Sequence, residues 1–238
     1  MSKIISNEQV NRDFFLLRAE WDKPVKPGQF CMLRAGDEYP LLSRPISIFD
    51  MEEGAISFLY KKIGKGTSII SNMKPGDDIG LRGPYGNGFP VDVSGRIALV
   101  GGGVGIAPLY LLAKTLKASG ASVNSFLGFS GEPALLDEYK AVSDNVTVNI
   151  GGFVTDDIEP MNYDAIICCG PEIMMRVLYR KCLAQGVGER LYVSMEKRMA
   201  CGIGICKVCT CFTESGTKTA CKDGPVFKAS EVFYDEQA

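Results

Sequence analysis

The sequence predicts a mixed β and α/β fold: an N-terminal antiparallel β-barrel, a central Rossmann-like parallel α/β domain and a C-terminal cysteine loop segment. Three observations predict it. Short β-forming runs crowd residues 1–93, strands alternate with helices over 94–191, and five of the nine cysteines fall between Cys201 and Cys221 within 192–238.

In the first region the runs Phe14–Leu17, Gln29–Leu33, Ile46–Phe49, Ala55–Tyr60 and Asp78–Leu81 are rich in β-formers. Turn material separates them, as in Lys26-Pro27-Gly28, Glu52-Glu53-Gly54 and Lys74-Pro75-Gly76-Asp77. Many short strands at close spacing favour a small antiparallel barrel. The texture changes near Val93-Ser94-Gly95. Arg96–Val100 is an apolar strand that leads into Gly101-Gly102-Gly103-Val104-Gly105-Ile106-Ala107-Pro108 and a helical stretch to Ser119. A strand at Ser122–Gly128, a helix around Pro133–Ala141 and strands at Val146–Ile150 and Asp164–Cys168 follow. A helix then runs from Gly170-Pro171 toward Gln185. Alternation of this kind implies a parallel sheet covered by helices. The segment from about Tyr192 has too little apolar content to fold alone and is expected to need a metal.

With 238 residues, 46% hydrophobic and 23% charged, the chain can bury a core without covalent staples. A net charge of -2, with both signs mixed throughout, removes the usual electrostatic footprint of nucleic-acid binding. No apolar run approaches the roughly 18 residues that span a bilayer. The N-terminus lacks a signal-peptide pattern, so the expected location is cytoplasmic, away from membranes. The chain contains no histidine. That excludes His-ligated zinc, a Rieske-type cluster, a Ser-His-Asp triad and any His general base. No catalytic base or nucleophile for a second organic substrate stands out.

An odd number of cysteines in an unsecreted chain argues against a disulfide framework. Cys201, Cys206 and Cys209, with Cys221 further on, give C-x4-C-x2-C…C, the plant-type [2Fe-2S] ligand spacing. Three thiolates on one tight loop require backbone freedom, and Gly202 and Gly204 provide it. Zinc held by four thiolates is the rival, disfavoured by the x4 spacing and the interleaved glycines. Cys211 could replace a ligand, but Cys209 fits the x2 spacing. Cys31 and Cys182 read as ordinary buried apolar residues.

Gly101, Gly102, Gly103 and Gly105 follow a strand and open a helix, where backbone can approach a phosphate at a helix N-terminus. A tight structural turn is the alternative. Arg44-Pro45-Ile46-Ser47 and Gly64-Lys65-Gly66-Thr67 each offer a cation and a hydroxyl, and together they could clamp a pyrophosphate. An exposed arginine and an ordinary turn are the bland readings. Gly83-Pro84-Tyr85-Gly86-Asn87-Gly88-Phe89 reads as a loop.

The order RPISI, GKGT, GPYGNGF, GGGVGIAPL, CGPEIMM and MACGIGICKVC resembles the ferredoxin–NAD(P) reductase family. With the cysteine loop last, it looks like the electron-transfer subunits of class B, NAD-dependent dihydroorotate dehydrogenases. The resemblance implies FAD, a [2Fe-2S] cluster and NAD(H) as co-substrate. It puts Arg44 by the FAD pyrophosphate, Ser47 by the flavin ring with Pro45 and Ile46 in the same motif, and phosphate on Gly64, Gly66 and Thr67. It gives the glycine loop, Cys169, Gly170 and Pro171 to the nicotinamide nucleotide, with Cys169 near the nicotinamide ring. Ile46 departs from a frequent tyrosine, and no aromatic residue ends the chain over the flavin. Ser130-Gly131-Glu132 offers no arginine to a 2′-phosphate, which favours NADH. The implied partner is an FMN-containing dihydroorotate dehydrogenase catalytic subunit, in a heterotetramer of two catalytic and two electron-transfer subunits. Subunits of ferredoxin:NADP oxidoreductase or sulfide dehydrogenase complexes share much of this layout. A redox-sensing or zinc-binding module without turnover is the alternative of another class.

Overall fold

The computed structural model describes residues 1–36 and 40–237. The N-terminal region contains β1 (Ser2–Gln9), β2 (Phe14–Glu20), β3 (Phe30–Ala35), β4 (Arg44–Ser47), β5 (Asp50–Glu52), β6 (Ala55–Lys61), α1 (Lys65–Ile70) and β7 (Asp78–Tyr85). They form an antiparallel sheet in the order β4-β3-β7-β1-β2-β6-β5. Its register shift between Ile4 and Ser6 marks an irregularity in β1, of the kind that bends a sheet toward a barrel. Alternation along β6 sends Ile56, Phe58 and Tyr60 into the barrel core with Leu17, Ala19 and Leu33. Leu59, on the opposite face, packs on the next domain. The turns at Gly54 and Gly76 need φ of 74° and 89°, which glycine adopts without a Cβ clash.

Four details differ from the sequence expectation. The strand β1 went unrecognised because Ile4 is its one buried side chain. Of the run expected over Ile46–Phe49, Ile46 and Ser47 end β4 while Ile48 and Phe49 form the link to β5. Ile48 faces the barrel core and Phe49 faces the neighbouring domain, so the chain turns between two cores rather than continuing one strand. The GKGT stretch, expected as a turn, opens α1, and the Gly83–Phe89 stretch, expected as a loop, starts inside β7, whose ladder to β3 continues to Tyr85.

The second region contains β8 (Arg96–Gly102), a 3-10 turn (Gly103–Ile106), α2 (Ala107–Ala118), β9 (Ser122–Phe129), α3 (Leu136–Val142), β10 (Asn145–Ile150), β11 (Ala165–Cys169), α4 (Glu172–Ala184) and β12 (Leu191–Ser194). Beyond it lie β13 (Thr210–Thr213), β14 (Gly216–Thr219), β15 (Val226–Lys228) and α5 (Ala229–Val232). The sheet order is β10-β9-β8-β11-β12-β15, parallel throughout except for β15. β8 is apolar at every turn because both its faces are covered. Ala98 and Val100 enter one core, and Ile97 and Leu99 enter the other. Strand order reverses between β8 and β11, and in open α/β sheets ligands bind at the carboxyl ends of strands flanking such a point.

The third segment is not a separate layer. β12 begins at Leu191, where that segment was expected to start, and lies in the parallel sheet. β15 then returns from the cysteine region to pair with β12. The sheet domain therefore supplies the core that the short segment lacks.

Barrel and α/β domain share a dry seam. Phe14, Phe49 and Leu59 pack with Ile106, Leu127, Phe129 and Tyr139, and Phe49 stacks on Tyr110 with centroids 4.3 Å apart. Lys114 reaches across to Asp50 at 2.9 Å. That pair is partly exposed and contributes about 0–1 kcal/mol, so the apolar contact dominates. No helix among the described residues is long and apolar enough to cross a membrane. Phe49→Ala should lower unfolding free energy by about 3–5 kcal/mol, read by urea denaturation. A loss under 1 kcal/mol would contradict the seam's role.

Candidate functional site

The cysteine loop between Met195 and Cys209 contains no helix or strand. Its shape comes from glycine and from its flanks. Gly202 and Gly204 take φ of 77° and 80°, and Lys207 takes 57°, a left-handed conformation that costs a non-glycine residue energy and persists only when neighbours hold it. A Cβ on Gly202 would lie 3.2 Å from Met32 Cγ and 3.3 Å from Tyr85 Cε2, so the loop rests directly on β3 and β7. Downstream, Ala220 N–H donates to Cys209 O at 2.9 Å, which fixes Cys221 relative to Cys209. The Asp223 carboxylate accepts from Thr219 N–H at 2.7 Å and from the Thr219 hydroxyl at 2.9 Å. Those bonds hold its pKa down and lock the turn around Cys221.

The four expected cysteines converge in two pairs. Cys201 and Cys206 are close enough to shift each other's ionisation, and so are Cys209 and Cys221. Backbone N–H groups point at them: Ile203 N–H lies 3.4 Å from Cys201 Sγ, and Gly204 N–H lies 3.1 Å from Cys221 Sγ. Bonds from the Cys206 and Ile203 backbone lower the Cys201 thiol to about 6. Burial and the adjacent Cys209 push Cys221 up to about 12, so binding metal there must release a proton. Cys209 and Cys221 are buried, Cys206 is exposed and Cys201 is intermediate. Among the described residues no three or more Cys, Asp or Glu side chains gather as a single-ion site. Two pairs of thiols on a loop whose amides face sulfur fit a two-iron cluster, with one pair for each iron.

Cys211 shares the buried core of Cys209 and Cys221, its Sγ 3.9 Å from Cys209 O. It is buried beside Lys197 and Glu172, on β13 where strand alternation turns it into the core shared with the α/β sheet. Cys31 and Cys182 are fully buried, with thiols pushed up to about 12 by burial, as the sequence reading expects.

The RPIS and GKGT motifs meet at the barrel edge. Arg44 donates to Leu42 O, and its guanidinium lies so close to Gly66 that a Cβ there would be 2.3 Å from Nε. Gly64 has open space where a side chain would stand. A cation and the start of α1 thus share one face, a geometry suited to a diphosphate. A narrow cleft of about 10 Å³ runs between Leu42, Arg44 and Gly66. The Thr67 hydroxyl is engaged locally: it accepts from Ile63 and Gly64 N–H at 3.0 and 3.1 Å and donates to Gly64 O. That hydroxyl therefore shapes the loop. Pro45 and Ser47 are half-buried on β4, paired with Met32 and Phe30. Ile46 packs on the barrel core.

The glycines after β8 have separate jobs. A Cβ on Gly105 would lie 2.3 Å from Cys169 O, and one on Gly102 would lie 2.6 Å from Met174 Sδ and 3.1 Å from Pro171 Cδ. Gly101 is equally tight against Ile106. Close packing of the β8 and β11 loops accounts for these three. Gly103, at φ 57° with nothing near its Cα, is the one left open to a ligand. Gly170, at φ 154°, meets Gly102 backbone on the other side. Cys169 ends β11 buried, its thiol raised by burial and by Glu196. Sequence reasoning missed Glu196. Its carboxyl is crowded enough by protein for burial to raise its pKa, though the residue keeps an exposed edge. Its one sequence signal is a position two residues beyond β12, at the strand ends where Cys169 also stands.

The family described as the iron-sulfur cluster binding domain of dihydroorotate dehydrogenase B matches residues 196–233, which contain all four paired cysteines. The dihydroorotate dehydrogenase B (NAD(+)) electron transfer subunit of Clostridium acetobutylicum is 44% identical, covering 99% of this chain and 98% of its own. That of Clostridium perfringens is 39% identical over 98% and 97%. Among solved structures, an NADH-dependent reduced ferredoxin-NADP oxidoreductase superposes with a TM-score of 0.87 at 33% identity, covering 99% of this chain and 91% of that one. The FAD/NAD binding domain of a Vibrio cholerae nitric oxide dioxygenase, at 18% identity and a TM-score of 0.71, shares the fold.

Serine at Cys201, Cys206, Cys209 or Cys221 should abolish the iron-sulfur absorbance and lower bound iron, whereas Cys211→Ser should keep both. Loss with Cys211→Ser and retention with Cys209→Ser would reverse the ligand choice. Gly66→Ala must displace the Arg44 guanidinium and should weaken FAD binding by about 2–3 kcal/mol, the worth of a charge-assisted contact. A flavin dissociation constant equal to wild type would refute the diphosphate reading.

Proposed function

This chain belongs to the family of electron transfer subunits of dihydroorotate dehydrogenase B, and from that premise we propose that it carries electrons between NAD(H) and a partner flavoprotein through FAD and a [2Fe-2S] cluster. The reaction served is oxidation of dihydroorotate to orotate, with net flow from dihydroorotate to NAD+. One observation carries the reading: the thiols of Cys201, Cys206 and Cys209 lie on a loop seated on β3 and β7, the turn after β14 brings Cys221 to Cys209, and β3 is the strand paired with the RPIS motif.

In this reading Cys201 with Cys206 and Cys209 with Cys221 are the iron ligands. Arg44 and the start of α1 hold the FAD diphosphate, and Ser47 faces the flavin. Gly103 leaves the β8 end open to the dinucleotide, while Gly101, Gly102, Gly105, Gly170 and Pro171 keep the β8 and β11 loops packed beneath it. Cys169 and Glu196 stand where the nicotinamide would enter. The chemistry that a bound flavin supplies is conversion between a two-electron hydride and single electrons. The protein's part is to orient the reacting rings and to exclude water. Cys206, exposed at the loop's outer side, faces the direction in which a partner must dock. The partner is a catalytic dihydroorotate dehydrogenase subunit, and the proposed assembly is two catalytic and two electron-transfer subunits.

A second reading has a specific observation behind it, the 33% identity with the ferredoxin-NADP oxidoreductase over nearly the whole chain. The 44% and 39% identities favour the dihydroorotate reading. The isolated chain should oxidise NADH with ferricyanide, at higher kcat/KM than NADPH, and should leave dihydroorotate untouched. Adding the catalytic subunit should create NAD-linked dihydroorotate oxidation that neither shows alone. Flavin reduction by dihydroorotate in the isolated chain, or failure to complex with that subunit, would sink this assignment.

A further inference from the structure

A cavity of about 560 Å³ opens between the two domains, within the range of small-ligand sites. Its α/β wall is Gly103 and the loop after β9 that carries Glu132. Its other wall comes from the barrel: Asn11, Arg12 and Asp13 of the β1–β2 turn, with Lys61 at the end of β6. No motif in the sequence marks that turn as part of a nucleotide site.

Asn11 links the two walls. Its Oδ1 accepts from Asp13 N–H at 3.0 Å and Phe14 N–H at 2.9 Å, which caps its own turn. Those two donors fix which end of the amide is oxygen. Its Nδ2 then donates across the cavity mouth to Glu132 O at 3.0 Å and Pro133 O at 3.3 Å. The receiving loop has little regularity of its own and enters α3 through Leu135 at φ 56°. The charges are arranged as well. Asp13 and Lys61 pair at 3.0 Å and offset each other. Arg12 and Glu132, both exposed, are the other lining charges.

We propose that the β1–β2 turn of the barrel is a wall of the dinucleotide site, with Arg12 a binding residue for the diphosphate and Asn11 a positioning residue that sets the distance of Glu132 from the ribose. The inference rests on the NAD(H) reading above. An arginine facing the cavity supplies a charge-assisted contact to a diphosphate. Held at fixed width, the Glu132 carboxylate accepts from ribose hydroxyls and repels a 2′-phosphate.

Asn11→Ser separates the two jobs of the amide. A serine oxygen still accepts from the turn N–H groups but is too short to reach Glu132 O. Full-length chain loaded with FAD and cluster would be assayed with NADH and NADPH against ferricyanide, beside Arg12→Ala. Both variants should keep wild-type FAD and iron content and a kcat within about twofold, while KM for NADH rises about tenfold, the worth of one charge-assisted contact. Asn11→Ser should also narrow the NADH over NADPH preference, a change that loss of stability alone would not produce. An active wild type whose KM is unmoved by both substitutions overturns the barrel wall and leaves the functional reading intact. A wild type that fails to oxidise NADH overturns both.

Discussion

The cysteine loop has no secondary structure of its own, yet its three thiols and that of Cys221 must stay within reach of one small cluster. That requirement is met from outside the loop. Gly202 presses on Met32 and Tyr85 of the barrel. Asn87 donates to Val226 O at 2.7 Å and accepts from Val226 N–H at 3.2 Å, and β15 pairs with β12. The loop is therefore clamped between both sheets, and the cluster's position relative to the flavin strand follows from this clamp. A segment without enough apolar residues for a core borrows two cores.

The same logic of close approach organises the nucleotide end. Glycines let the loops after β8 and β11 touch backbone to backbone, so Cys169, Gly170 and Gly105 form one tight floor. The apolar seam from Phe49 to Tyr110 keeps the barrel and the α/β domain at one distance, which is what a hydride donor and acceptor on separate domains need. Within the glycine run Gly101, Gly102 and Gly105 are packing positions, whereas Gly103 has open space where a Cβ would stand.

Ionic contacts tie the far end of the molecule to the same region. Glu172, the first residue of α4, pairs with Lys197 at 3.0 Å and with Arg176, which in turn holds Asp235 and Glu236. Arg176 also lies 4.6 Å over the Phe233 ring. These contacts fasten the C-terminal turn onto α4, the helix that follows β11. Most are exposed and individually weak, so their effect is on geometry more than on stability.

Much of this protein is legible in its sequence. The C-x4-C-x2-C spacing identifies the metal because ligand spacing on one loop is a local property. The apolar run of β8 and the alternation of β6 identify a covered parallel strand and a barrel strand because burial repeats with backbone period. Other features depend on residues far apart in the chain. Cys221 comes to Cys209 because Ala220 N–H donates to Cys209 O across the β13–β14 hairpin. The Thr67 hydroxyl caps α1, and Gly102 and Gly105 are packing glycines, because of neighbours that no local pattern reveals. Asn11 joins a barrel turn to a loop more than a hundred positions later. Sequence determined which chemistry the chain can carry, since that lies in residue type and spacing. Tertiary structure decided which copies of those residues face one another, since that lies in contacts made only once both sheets have closed.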